Sequence, residues 1–133
     1  MTRTIKLYLI AFVAFLAIDG VWLTFVAQGV YKQYLGYLMS PTPNLLAAGI
    51  FYLLFIVGLL VFVILPGLKE GSLGNTLLRG ALFGLVSYAT YDLTNLATVK
   101  DWPIAITVID LIWGTVLSAA VSFVTFTLGR RIR

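Results

Sequence analysis

Residues Gly80 to Pro103 read GALFGLVSYATYDLTNLATVKDWP. The stretch starts as an apolar helix with glycines four apart, Gly80 and Gly84. It then gathers Tyr88, Tyr91, Asp92, Thr94 and Asn95, and closes on Lys100, Asp101, Trp102 and Pro103. At 100° per residue Gly80, Gly84, Tyr88, Asp92 and Asn95 fall on one stripe. The glycine pair has the G-x-x-x-G spacing that lets a second helix approach closely inside a membrane. Such a helix needs a membrane around it and a partner on its small-residue face.

The rest of the chain supplies both. Of 133 residues 61% are hydrophobic and 11% charged, with a mean hydropathy of +1.03. A soluble domain would carry about twice that charge. Four apolar segments are expected as spans: 5–28, 44–65, 76–98 and 103–128. Each is long enough for a hydrocarbon core of about 30 Å. Continuous apolar runs favour helices over a barrel, and the first run is too long for a cleavable signal segment. The expected fold is an all-α membrane protein, a four-transmembrane-helix bundle forming a single domain over 1–133.

Charge placement gives the expected orientation. Arg3, Lys6, Lys69, Arg79, Arg130, Arg131 and Arg133 fall on one side, Lys32 and Lys100 on the other. The positive-inside rule then puts both termini in the cytoplasm, and the arginines at the C-terminal end read as a topology signal touching anionic headgroups. Between the first two spans, Tyr31, Tyr34, Leu35 and Leu38 recur at helical spacing. This predicts a short amphipathic interfacial segment after helix 1, either anchoring a loop or acting as a lid. Residues 66–75, with Pro66, Gly71 and Gly74, are expected as a plain turn.

The chain has no Cys and no His. Disulfides, thiol nucleophiles, histidine-ligated haem, ordinary zinc sites and Ser-His-Asp catalysis are excluded. With Glu70 the single glutamate, so is a Glu/His di-iron site. No metal site and no nucleic-acid surface is expected, and the residues name no cofactor.

The chemistry rests on three aspartates within the spans. Asp19, Asp92 and Asp110 lie about nine, six and seven residues from the outer ends of their helices, roughly 9–14 Å deep. Each costs about 2.5–3.5 kcal/mol to insert near a helix centre, which favours a cavity or a partner over lipid. Gly114, Ser118 and Ser122 repeat the small-residue spacing on the fourth span, so the third and fourth spans should pack there and bring Asp92 towards Asp110. On the first span the stripe is Phe12, Phe15, Asp19, Trp22 and Val26. IDGVWLT at 18–24 and IDLIWGT at 109–115 share an aspartate and a tryptophan one turn apart, an arrangement that offers a carboxylate beside a flat aromatic wall. The candidate binding residues are therefore Asp19, Trp22, Tyr52, Tyr88, Tyr91, Asp92, Asn95, Asp110 and Trp113, with Trp102 read as an interfacial belt residue. Like charges crowded in a low dielectric cannot all ionise, so at least one aspartate should hold a proton unless a cation sits among them.

The stretches IDGVWLT, GVYKQYLGYLM, FYLLFIVGLLVF, GALFGLVSYATYDLTNLATVKDWP and VIDLIWGTVL together resemble a family of small bacterial predicted membrane proteins catalogued as a domain of unknown function. The resemblance covers nearly the whole chain. Its most specific marks are Tyr91-Asp92-Leu93-Thr94-Asn95, Trp102-Pro103 and Asp110-x-x-Trp113-Gly114. It implies four transmembrane helices in a bacterial inner membrane and carries no substrate.

Three functions stay open. One is binding or transport of a small cation, proton or amphipathic ligand, for which so few helices would call for a homodimer. A second is a structural or accessory subunit in which protonated aspartates hold the bundle together within the lipid bilayer. The third is an enzyme acting on a lipid-like substrate through carboxyl acid–base chemistry; a second motif of intramembrane aspartyl proteases, G-x-G-D, is absent.

Overall fold

A computed structural model describes residues 2–132. It contains four helices: α1 (Thr2–Leu35), α2 (Leu45–Glu70), α3 (Leu73–Thr98) and α4 (Ile104–Gly129). α1, α2 and α4 are long and apolar enough to cross a membrane. α3 matches α4 in length, at 26 residues, but is diluted by polar residues towards its C-terminal end. Several of these turn their hydroxyls back into the helix: Ser87 donates to the Phe83 carbonyl at 2.7 Å, Thr90 to Val86 at 2.7 Å and Thr98 to Thr94 at 2.8 Å. A hydroxyl bonded in this way presents mainly its carbon atoms to the surroundings.

Helix boundaries follow local chemistry. The Asn44 side chain caps α2 by accepting from the Ala47 amide at 3.0 Å, and Ser72 caps α3 through Asn75 at 3.2 Å. Gly71, at φ 73°, makes the left-handed turn between them. Pro103 leads into α4 at a φ of −71°, where a missing amide costs nothing. Residues 66–75 are therefore no extended turn. α2 runs through Pro66 to Glu70, because a π-helical turn at Leu60–Ile64 relieves the hydrogen bond that a proline inside a helix cannot make.

The segment after the first span also differs from expectation. It is helical and continues α1 through a second π-helical turn, Leu23–Ala27, to Leu35. The inward stripe of α1 is Leu7, Ala11, Phe15 and Asp19, and then Ala27; Val26 is exposed. That offset by one residue is what a π turn introduces.

The interior combines small and polar residues on α4 with an apolar core, and the outer surface is apolar. Buried residues of α4 include Thr107, Asp110, Gly114, Ser118, Ser122 and Thr125. Large apolar side chains such as Phe25, Leu45, Leu54, Phe62 and Leu78 are exposed. In lipid no hydrophobic effect drives helices together, and small residues that permit close packing take the interior. Leu7, Phe15, Ile56, Leu59, Val63, Leu117 and Val121 form the apolar core between α1, α2 and α4.

α3 and α4 pack antiparallel through their small residues. A Cβ on Gly80 would stand 2.4 Å from Ser122 Oγ; one on Gly84 would stand 2.1 Å from the Gly114 carbonyl oxygen. Gly114 in turn accommodates the Tyr88 ring. α2 joins them at its lower end, where Gly67 meets Thr76 and Gly58 meets Phe83. Gly129 packs beside Leu7 and Leu68, so the two chain ends and the α2–α3 turn share one end of the bundle. Arg3, Lys6, Lys69, Arg79, Arg130 and Arg131 cluster there, with Arg79 bridging to Glu70 at 2.9 Å. Arg133 lies outside the described residues.

Gly84→Ala should destabilise the bundle by roughly 1–3 kcal/mol, because the clash is with backbone. Gly49→Ala, with open space around its Cβ, should be neutral or stabilising by up to about 1 kcal/mol. Thermal unfolding of the purified variants in detergent, followed by circular dichroism, measures both; equal stability of the two variants would contradict this packing.

Candidate functional site

At the end of the bundle opposite the chain termini the helices part and leave a cavity of about 420 Å³. The close α3–α4 contact sets one wall. Four residues beyond the Tyr88–Gly114 contact on each helix come Asp92 and Asp110, whose carboxyls lie side by side. Their positions differ. Asp110 faces the cavity, whereas Asp92 is fully buried behind it and is not part of the wall. Of the pair, Asp110 is thus the acid that the cavity reaches.

α1 closes the opposite wall. Asp19 accepts a hydrogen bond from Trp113 Nε1 at 3.1 Å and one from the Tyr52 hydroxyl at 3.5 Å. The Trp22 and Trp113 rings stack, with centroids 4.4 Å apart and planes 10° from parallel. The Tyr31 hydroxyl, on the continuation of α1, donates to Asp110, and Trp22 lies within reach of the Tyr31 oxygen. The two matching phrases therefore cross. The tryptophan of α4 serves the aspartate of α1, and the tryptophan of α1 neighbours the tyrosine that serves the aspartate of α4.

Tyr88 stands between the two acidic groups, within Coulomb range of Asp19, Asp92 and Asp110. No three acidic side chains converge as a metal cage among the described residues. The three aspartates thus divide into Asp19, already provided with two donors, and the Asp92–Asp110 pair, provided with one.

A second lobe of about 320 Å³ continues the cavity sideways, between Phe51 of α2 and Ser87, Tyr88 and Tyr91 of α3. It lies above the level at which rings of α2 and α3 meet, Phe55–Phe83 at 5.2 Å and Phe55–Tyr88 at 6.5 Å. Above that level Phe51 and Tyr91 are both substantially exposed, so the lobe opens on the flank of the bundle.

Of the expected residues, Asp19, Trp22, Tyr52, Tyr88, Tyr91, Asp110 and Trp113 line the cavity. Asn95 does not; it is half-buried beside Tyr91. Trp102 is no belt residue either. It is 8% exposed and donates from Nε1 to Thr107 at 3.1 Å, with its ring edge-on to Tyr91 at 5.8 Å. Tyr31, Leu35 and Phe51 belong to the wall although the sequence reading had not assigned them there. The helical recurrence of Tyr31 and Leu35 was the available signal. Tyr37, further along the same segment, donates to the Asp101 carbonyl at 2.6 Å and ties the segment to the α3–α4 turn. Asp101 itself adopts a φ of 60°, which a short polar side chain tolerates.

Residues 4–127 match the family described as "Predicted membrane protein (DUF2177)". No curated protein and no solved structure matches the chain.

The stacked tryptophans should produce an exciton couplet at the strong indole transition in far-ultraviolet circular dichroism. Trp22→Phe and Trp113→Phe are each expected to abolish it, and Trp102→Phe to leave it in place. A couplet that survives loss of Trp22 would show that the two rings do not pair.

Proposed function

We propose, for a chain that belongs to this family of predicted membrane proteins, that the cavity is a binding site for an amphipathic organic cation entering sideways from the bilayer. The carrying observation is the pairing of a carboxyl with an aromatic enclosure. Asp110 sits on the floor of a cavity walled by Trp22, Trp113, Tyr88 and Tyr91, and its flank lobe is lined mostly by apolar atoms around Phe51. Aromatic faces attract cations by roughly 0.5–2 kcal/mol each, more when desolvated. A bound cation supplies the counter-charge that a buried intramembrane carboxylate otherwise lacks. The volume lies within the roughly 300–1,000 Å³ range of small-molecule sites. An alkylated amine or phosphonium with an apolar body fits this chemistry.

Asp19 takes the structural part of this reading. Its two donors, Trp113 and Tyr52, tie α4 and α2 to α1, and they leave Asp110 as the acid with capacity for a ligand. Transport would add alternating exposure of the site, which a homodimer of four-helix units would accommodate. The setting that agrees with the charge distribution is a bacterial inner membrane with both termini cytoplasmic.

Tetraphenylphosphonium titrated into the purified protein should quench the Trp22 and Trp113 fluorescence saturably, and a neutral tetraphenyl isostere should not. Asp110→Asn should weaken binding by at least about tenfold, the worth of one charge-assisted contact. Equal binding of charged and neutral probes would refute the cation reading. Orientation is testable because the chain has no native cysteine. A membrane-impermeant maleimide should label Lys100→Cys in intact cells and spare Lys69→Cys; the reverse pattern would invert the topology.

A further inference from the structure

Asp92 is the one acid of the site with no donor. It is 0% exposed, lies outside the cavity, and neither carboxyl oxygen has a hydrogen-bond partner. The polar group beside it is the Asp110 carboxyl. Two ionised carboxylates offer each other only lone pairs and mutual repulsion. Among the described residues no other group donates to Asp92. From α1 the titratable groups facing the pair are Asp19 and Tyr31, from α2 Tyr52, and from α3 Tyr88 and Tyr91. Tyr31 is committed to Asp110, and Tyr52 to Asp19. Every described lysine and arginine is exposed except Arg79, which is half-buried and paired with Glu70 at the other end of the bundle.

A single proton removes both penalties. Placed on Asp92, it turns one buried acceptor into a donor and gives Asp110 a second hydrogen bond beside that from Tyr31. The reverse placement is poorer. Asp110 already receives a donor and borders the cavity, so a negative charge is better tolerated there than on the donorless, fully enclosed Asp92.

We infer that Asp92 is a proton-binding site: it holds a proton at neutral pH and donates it to Asp110, so that the pair presents one negative charge to the cavity. Asp92 is then a positioning residue, acting on a ligand only through the carboxylate it orients. A carboxylic acid kept neutral in an apolar enclosure so that it can donate is established chemistry. This inference deepens the cation-site reading and rests on it for the role of Asp110, though the proton itself can be detected with no ligand present.

Infrared difference spectroscopy of the purified protein at neutral pH should show the C=O stretch of a protonated carboxylic acid, shifted by deuterium exchange. The band should vanish in Asp92→Asn and persist, displaced, in Asp110→Asn. In parallel, tetraphenylphosphonium binding should stay within a few-fold of wild type in Asp92→Asn, whose side-chain N–H still donates to Asp110. It should weaken by at least about tenfold in Asp92→Leu, which has similar bulk and no donor. The tryptophan couplet reports whether each variant is folded. Absence of the acid band in the wild type, or a band lost in Asp110→Asn and kept in Asp92→Asn, overturns the proton assignment. Equal affinities of folded Asn and Leu variants overturn the positioning role. Should the wild type bind no cation, the cation reading fails by itself and the infrared result alone decides the proton site.

Discussion

The close approach of α3 to α4 is the constraint from which the rest of the structure follows. Gly84 lies so near the Gly114 carbonyl that no side-chain carbon fits between them. Two helices held that tightly keep their register, because any slip would drive Ser118, Ser122 or Tyr88 into the opposing backbone. The same register carries one step of four residues further to Asp92 and Asp110. Two acids thus share a burial site as a consequence of glycines one to two turns away. The cost of crowding them is set against the dispersion contacts of the long small-residue seam, which is where association energy in a bilayer resides.

Much of this arrangement was legible because it is written in local spacing. The four-residue recurrence of Gly80, Gly84, Tyr88 and Asp92, matched by Asp110, Gly114, Ser118 and Ser122, indicated both the seam and the meeting of the acids. Long apolar runs indicated the helices and their number. What spacing could not convey is depth within the bundle. Asp92 and Asp110 sit at the same level, yet Asp110 borders the cavity and Asp92 is sealed from it. Trp102 was misread for a similar reason. A tryptophan beside a proline at a helix end resembles an interfacial anchor, whereas here the α3–α4 turn folds it inward onto Thr107. Asn95 shares the stripe of Asp92 and, like Asp92, lies outside the cavity, whose α3 wall is Tyr88 and Tyr91.

The cavity is built by apposition of unlike parts. The α3–α4 seam provides the acid pair, while α1 and α2 bring aromatic rings that follow one another from Phe55, set against Phe83 of α3, through Phe51 to Tyr52 and Phe15. Rings of this size hold an opening that aliphatic side chains would fill by changing rotamer. Asp19, fastened to Trp113 and Tyr52, acts as the joint between the two halves.

The π-helical turn at Leu23–Ala27 has a geometric consequence of its own. In an uninterrupted α-helix Tyr31, twelve residues beyond Asp19, would point about 120° away from it. A π turn takes up one residue more than an α turn, and so rotates everything after it back by about 100°. Tyr31 is then within about 20° of the direction of Asp19, and Leu35 swings inward with it. The inserted residue works as a phase shifter: it lets a single helix line the lipid-spanning part of the cavity and also turn the right side chain over its mouth. Removing one residue from 23–27 would keep the helix and its composition and would point Tyr31 away from Asp110.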